Sequence, residues 1–245
     1  MELEWTLFPV MGVIFLATMI RSTFGFGEAL VAVPLLSLLM PVEVAVPLAT
    51  LLSITVAAVV VVQDWHKIHF QSAGWLMIST LFGIPLGLWL LTAVAERVVK
   101  AILALVIIGF SLYCLVCRSP YQLKNDRLAW VFGFGAGILG GAYGMNGPPL
   151  VVYGSLRHWS PEQFRATLQG YFLPASLLGM CGYWMAGLWT RPVTHYYLWS
   201  LPLTLAAVFL GRLINQRLRS RVFLRSIYIG LFCVGNVLLI QSLFK

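Results

Sequence analysis

Five stretches of this chain run for twenty residues or more without a charged side chain: Glu43 to Asp64, Lys67 to Glu96, Arg127 to Arg157, Arg165 to Arg191, and Arg191 to Arg212. A helix needs about 20 apolar residues to cross a hydrocarbon core roughly 30 Å thick. A soluble domain would carry roughly 25% charged residues, and this chain has 10%, with 60% hydrophobic. The sequence therefore predicts an all-α polytopic membrane protein. At 245 residues it holds at most roughly ten spans and no separate soluble domain. The formal net charge of +8 brings no basic stripe with interleaved aromatics, so nucleic acid is not an expected partner. The partner is the lipid bilayer. The acidic start, Met1-Glu2-Leu3-Glu4-Trp5, argues against a secretory signal.

Apolar runs bounded by polar or turn residues predict helices at 5–20, 29–40, 44–63, 72–93, 98–117, 128–142, 148–157, 161–187, 195–211 and 222–243. The runs 29–40 and 148–157 are too short to span, because at 1.5 Å per residue they cover about 15–18 Å. They read as half-helices. The order repeats: a full helix, a glycine-containing break, a half-helix, a proline-marked turn, then three long helices. An offset of 120 superimposes Gly27, Leu30, Val31 and Pro41 on Gly147, Leu150, Val151 and Pro161. An offset of 124 superimposes Gly87, Arg97 and Val98 on Gly211, Arg221 and Val222. The expected organisation is an N-terminal repeat at 1–117, a cytoplasmic linker at 118–127 and a C-terminal repeat at 128–245, in one integrated transmembrane unit.

Parity of crossings sets the relation of the repeats. If each helix and half-helix pair is a hairpin, each repeat crosses an odd net number of times and the two are inverted. With fully crossing hairpins, Arg97, Lys100, Arg191 and Lys245 lie on one face and the other twelve Lys and Arg, Arg21 among them, on the opposite face. Single broken helices in place of hairpins give six against nine, with Arg21 unplaced. The steeper asymmetry is favoured because cytoplasmic loops accumulate Lys and Arg. The expectation is thus two inverted repeats, each a helix/half-helix hairpin plus three transmembrane helices. Both termini then lie outside, and the loops 63–71, 118–127 and 211–221 are cytoplasmic.

Irregular backbone at membrane depth is tolerated only against protein or a wet cavity, so two breaks imply a shared cavity. The first break contains Ser22, Thr23, Gly25, Phe26 and Gly27; the second contains Gly144, Met145, Asn146, Gly147, Pro148 and Pro149. The two prolines mark a helix start, with Asn146 or Gly147 near the cap. Unpaired N–H groups and the positive dipole end of each half-helix attract anions. Glycines admit a ligand to the backbone, and Ser22, Thr23 and Asn146 add neutral donors. A small anion is the expected substrate, with Gln169, about 12 Å into its helix, and the related Thr50 as cavity-facing candidates.

Glu28 is costly near a membrane break unless it is paired, protonated or wetted. It reads either as a proton-coupling group or as an interfacial residue paired with Arg21. His66 and His69, with Asp64, have metal-like spacing but too few partners for a site, and no cofactor is expected. Cys114, Cys117, Cys181 and Cys233 form no disulfide framework. No G-x-S-x-G elbow, H-E-x-x-H helix or Walker loop occurs, so nothing in the sequence supports an enzyme.

Gly25-Phe26-Gly27 followed by Pro34, the run Gly144-Met145-Asn146-Gly147-Pro148-Pro149, and the late Gly-to-Arg spacing in each half resemble the TauE/SafE family of sulfite exporters, or sulfonate uptake permeases. The resemblance spans nearly the whole chain and departs at Glu28, where the family more often has a small residue. It implies movement of sulfite, sulfonates or related anions across the bacterial inner membrane. The expected function is a secondary transporter working by alternating access around the paired breaks. A passive anion channel and an accessory membrane subunit without a substrate are the alternatives.

Overall fold

The computed structural model describes residues 2–64, 70–116, 123, 128–159, 161–215 and 220–244. The chain runs through α1 (Glu2–Phe24), α2 (Glu28–Leu36), α3 (Val42–Asp64), α4 (Phe70–Ala93), α5 (Glu96–Val116), α6 (Ala129–Tyr143), α7 (Gly147–Leu156), α8 (Pro161–Met185), α9 (Arg191–Asn215) and α10 (Ser220–Phe244). Each predicted apolar run has its helix. Among the described residues, Val42–Val59, Gly74–Ala93, Glu96–Val116 and Arg191–Gly211 are long and apolar enough to cross a membrane. Large apolar side chains such as Phe82, Trp89, Trp184 and Phe209 face outward, while Thr18, Arg21, Glu28, Ser53 and Asn146 are buried. That distribution suits a lipid-facing surface around a partly polar interior. Much of the predicted cytoplasmic loop sequence, with His66, His69 and Cys117, lies outside the described residues.

The short helices fold back on their predecessors. α6 stops because Gly144 adopts the left-handed region at φ 64°. Its N–H donates to Gly140 O at 2.8 Å, the 5→1 bond of an αL cap, and the Met145 N–H adds a second bond to Leu139 O at 3.1 Å. The chain then returns antiparallel. Tyr153 on α7 stacks on Phe132 near the start of α6, with ring centroids 5.4 Å apart, and Leu123 N–H reaches Leu156 O at 2.9 Å. In the first half α1 ends at Phe24 before Gly25 (φ 84°) and Gly27 (φ 99°). The first turn of α2 packs back on α1, where Thr18 and Arg21 both bond Glu28. α1 is longer than expected, so Arg21, Ser22 and Thr23 are helical and Arg21 is no loop charge.

Helix ends place the two halves in register. Phe24 with Tyr143, Glu28 with Gly147 and Val42 with Pro161 all give an offset of 119, one residue from the sequence-based value. The later offset of 124 holds for the starts of α5 and α10. The principal packing follows the same pairing. The α1–α9 seam has its counterpart in α6–α4 and the α3–α9 seam in α8–α4, while α3–α8 and α5–α10 map onto themselves.

Glycine makes the tightest of these seams. A Cβ on Gly83 would lie 2.9 Å from Gly137 Cα, and one on Gly87 2.9 Å from Gly141 Cα. Gly83 and Gly87 on α4 thus face Gly137 and Gly141 on α6 in a small-xxx-small contact. Gly211 on α9 does for α1 what Gly87 does for α6. A Cβ on Gly87 would overlap Ile138 O, and one on Gly211 would sit 3.1 Å from Met19 O, at the matching position. Gly137→Ala should therefore lower unfolding stability by about 1–3 kcal/mol through overpacking. Gly109→Ala, on an open stretch of α5 with nothing within 4 Å, should be neutral or stabilising by up to about 1 kcal/mol. Thermal unfolding of the two variants in one detergent compares them directly.

Candidate functional site

The two breaks meet at one cavity of about 30 Å³, lined from the first half by Arg21, Phe26, Gly27, Glu28 and Ser53, and from the second by Gly144, Met145, Asn146, Gly147, Pro148, Phe172 and Ser176. A single water needs roughly 10–15 Å³ of such space. The cavity is thus small, with space for about two waters.

Arg21 and Glu28 dominate its electrostatics. Arg21 is 3% exposed and Glu28 2%, and Arg21 Nη1 donates to Glu28 Oε2 at 2.7 Å. The same Nη1 donates to Ser53 Oγ at 2.5 Å, while Thr18 Oγ1 donates to Glu28 Oε1 at 3.3 Å. The Phe172 ring from the second half covers the guanidinium, its centroid 5.3 Å from Cζ, a cation–π distance. Arg21 Nε and Nη2 are buried and have no hydrogen-bond partner among the described residues.

Asn146 is the N-cap of α7, yet its side chain makes no cap bond. The sequence gives the reason. A capping oxygen accepts from the second or third helical N–H, and after Gly147 those positions are Pro148 and Pro149, which have none. Asn146 is 5% exposed and its Oδ1 is left without a donor. It lies over Gly140, where any Cβ would overlap it. The prolines also take two N–H groups out of the first turn of α7, so this helix end is a poorer anion site than its dipole suggests. α2 keeps its first-turn N–H groups, but its own Glu28 already supplies negative charge there.

Of the candidates read from sequence, Phe26, Gly27, Glu28, Gly144, Met145, Asn146, Gly147 and Pro148 line the cavity. Ser22, Thr23 and Gly25 do not. Ser22 abuts Gly211, and Thr23 Oγ1 donates to Met19 O at 2.8 Å and to Gly211 O at 3.4 Å, so both belong to the α1–α9 seam. Gln169 lies on α8, and its side chain falls outside the described residues. Thr50 supports the second break from below: its Oγ1 donates to Val46 O at 2.9 Å, and a Cβ on Gly144 would sit 2.6 Å from it.

Ser53, Phe172 and Ser176 are absent from the sequence candidates, and Arg21 is there only as the pairing partner of Glu28, a pairing the structure has with both residues buried. Arg21 alone carried a usable signal. It is the one charged residue between Glu4 and Glu28, and an isolated ionisable group in an apolar run marks a functional site by default.

No curated protein and no solved structure matches this chain. The family model for the sulfite exporter TauE/SafE matches residues 10–238, nearly the whole length, and the chain belongs to this family of membrane transporters.

Proposed function

We propose that this protein is a secondary transporter of a small sulfur-containing or carboxylate anion, bound between the two breaks and moved by alternating access of two inverted repeats. The observation that carries the reading is a buried Arg21–Glu28 pair sharing one cavity with Asn146 of the opposite break. The matched helix pairings of the two halves and the antiparallel hairpins support inversion, since each hairpin leaves its half with an odd net number of crossings. The positive-inside rule favours both termini outside and the 118–127 linker in the cytoplasm, and the proposed location is a bacterial inner membrane. The repeats occupy 1–117 and 128–245. The cavity volume of about 30 Å³ favours compact anions such as sulfite over extended organosulfonates.

Glu28 is the proposed proton-coupling group. Arg21 supplies the one buried positive charge among the cavity-lining residues, and Glu28 and a bound anion compete for it. A proton on Glu28 removes the competitor, so proton and anion bind together, and anion affinity increases as pH falls.

In a thermal-shift screen, sulfite at about 100 times its Kd should stabilise the purified protein by about 2.7 kcal/mol, and Asn146→Leu should lose the shift. No shift with any small anion would remove the anion reading. Glu28→Gln should bind sulfite with little pH dependence and lose pH-driven transport; a wild-type pH profile in this variant would exclude Glu28 from coupling. Uphill accumulation in proteoliposomes under a proton gradient separates a transporter from a passive channel. Gly147→Val tests the accessory-subunit alternative. A Cβ there would meet only Phe172 Cζ, at 3.9 Å, so the fold should tolerate it while the added bulk enters the cavity. Transport should drop at least about tenfold with thermal stability within about 1 kcal/mol of wild type.

A further inference from the structure

Arg21 is bonded in an unusual way for a structural ion pair. A guanidinium and a carboxylate left to themselves favour a fork of two parallel N–H···O bonds. Glu28 does not take that fork. One of its oxygens accepts from Nη1 and the other from Thr18, and Nη1 also carries Ser53. Among the described residues, all hydrogen bonding of Arg21 therefore falls on one nitrogen. The two nitrogens without partners, Nε and Nη2, are neighbours on the guanidinium edge, and their N–H bonds run parallel. That edge is the one that chelates two oxygens of a single group.

The surroundings fix its direction. Glu28 and Ser53 pin the Nη1 corner, and the Phe172 ring at 5.3 Å from Cζ covers the face, so rotation about the side-chain axis is blocked from both halves. Ser53 and Phe172 stand 119 residues apart, the register offset of the two halves. Matching positions on α3 and α8 thus hold the same guanidinium. Leaving two buried N–H groups of a charged side chain unpaired is costly, and a residue whose only task was to neutralise Glu28 would not incur that cost.

We propose that the Nε/Nη2 edge of Arg21 is an oxyanion fork that takes the substrate by two oxygens on one central atom, and that Phe172 is the residue positioning it. The fork discriminates by shape. Oxyanions such as sulfite and short carboxylates present two oxygens to it, whereas a spherical halide can meet only one N–H well. This rests on the anion-binding reading of the same site and specifies how recognition is achieved.

The test is competitive binding to the purified full chain, with sulfite and acetate as oxyanion probes and chloride and bromide as spherical ones. Wild-type protein should bind sulfite at least about tenfold more tightly than either halide, the size expected for one charge-assisted hydrogen bond. Arg21→Lys keeps the charge and removes the fork, and should bring oxyanions and halides to within about threefold of each other. Phe172→Leu should weaken sulfite binding about three- to tenfold, and Phe172→Tyr should restore it. Because the wild-type comparison needs no variant, failure of Arg21→Lys to fold leaves the proposal exposed to refutation. Equal wild-type affinity for sulfite and halide would overturn the fork while leaving anion transport standing. Wild-type sulfite affinity in Arg21→Lys would do the same. Absence of binding by every anion would remove both the fork and the reading beneath it.

Discussion

The Arg21–Glu28 pair is the costliest feature of this protein and the one around which the interior is organised. Two charges inside a membrane domain lose their hydration, and the mutual attraction repays this only when further hydrogen bonds complete the pair. Here Thr18 serves Glu28, Ser53 serves Arg21, and Phe172 covers the guanidinium. Removing one partner from such a pair typically costs about 3–5 kcal/mol. A fold maximising stability alone would place apolar side chains at 21 and 28. The pair persists inside a cavity built from two chain breaks, which fits the proposed anion site better than a packing role.

The two halves share a framework but divide the chemistry. By the register of their helix ends, Arg21 corresponds to Gly140, Gly27 to Asn146, Glu28 to Gly147 and Ser53 to Phe172. The first half supplies the charges and the second supplies space, a neutral amide and an aromatic cover. Each substitution is complementary at its position. Gly140 leaves room for the Asn146 carboxamide, and Gly147 has no side chain to compete with Glu28 for the cavity. A site of two identical halves would bring two arginines and two carboxylates together in the same small volume, with a desolvation cost doubled and like charges adjacent.

Much of this was legible in the sequence because membrane helices declare themselves through length and apolarity. All ten runs became helices, and the glycine and proline punctuation located both breaks and the start of α7. What escaped was direction. Successive helical residues point about 100° apart, so once α1 continues through Phe24, Arg21 and Ser22 face different neighbours. Ending the helix at residue 20 turned Arg21 into a loop charge and Ser22 and Thr23 into ligands. Ser53, Phe172 and Ser176 are single residues in long apolar runs, where no periodicity separates a cavity-facing side chain from one that packs or meets lipid. Asn146 was found for its position as a cap, but its freedom follows from the two prolines after it.

The glycine seams constrain how such a site can open. The first hairpin, α1 and α2, is locked to α9 at Gly211, and the second, α6 and α7, is locked to α4 at Gly83 and Gly87. Backbones in contact without intervening side chains cannot slide past one another without steric overlap, so each hairpin is bound to a helix of the opposite half. Under the proposed alternating access, a rocking unit that followed these seams would therefore not coincide with either half of the sequence. It joins a hairpin from one repeat to the fourth helix of the other, and the cavity lies where the two composite units meet. Arg21 belongs to one unit and Asn146 to the other, while Ser53 and Phe172 sit on α3 and α8, which pack against each other between them. Separation of the units would withdraw Asn146 from Arg21 without breaking either hairpin. Among the described residues, the cation–π contact and the Ser53 bond tie the guanidinium to helices outside its own hairpin, so under the proposed alternating access these are the links that opening of the cavity would load.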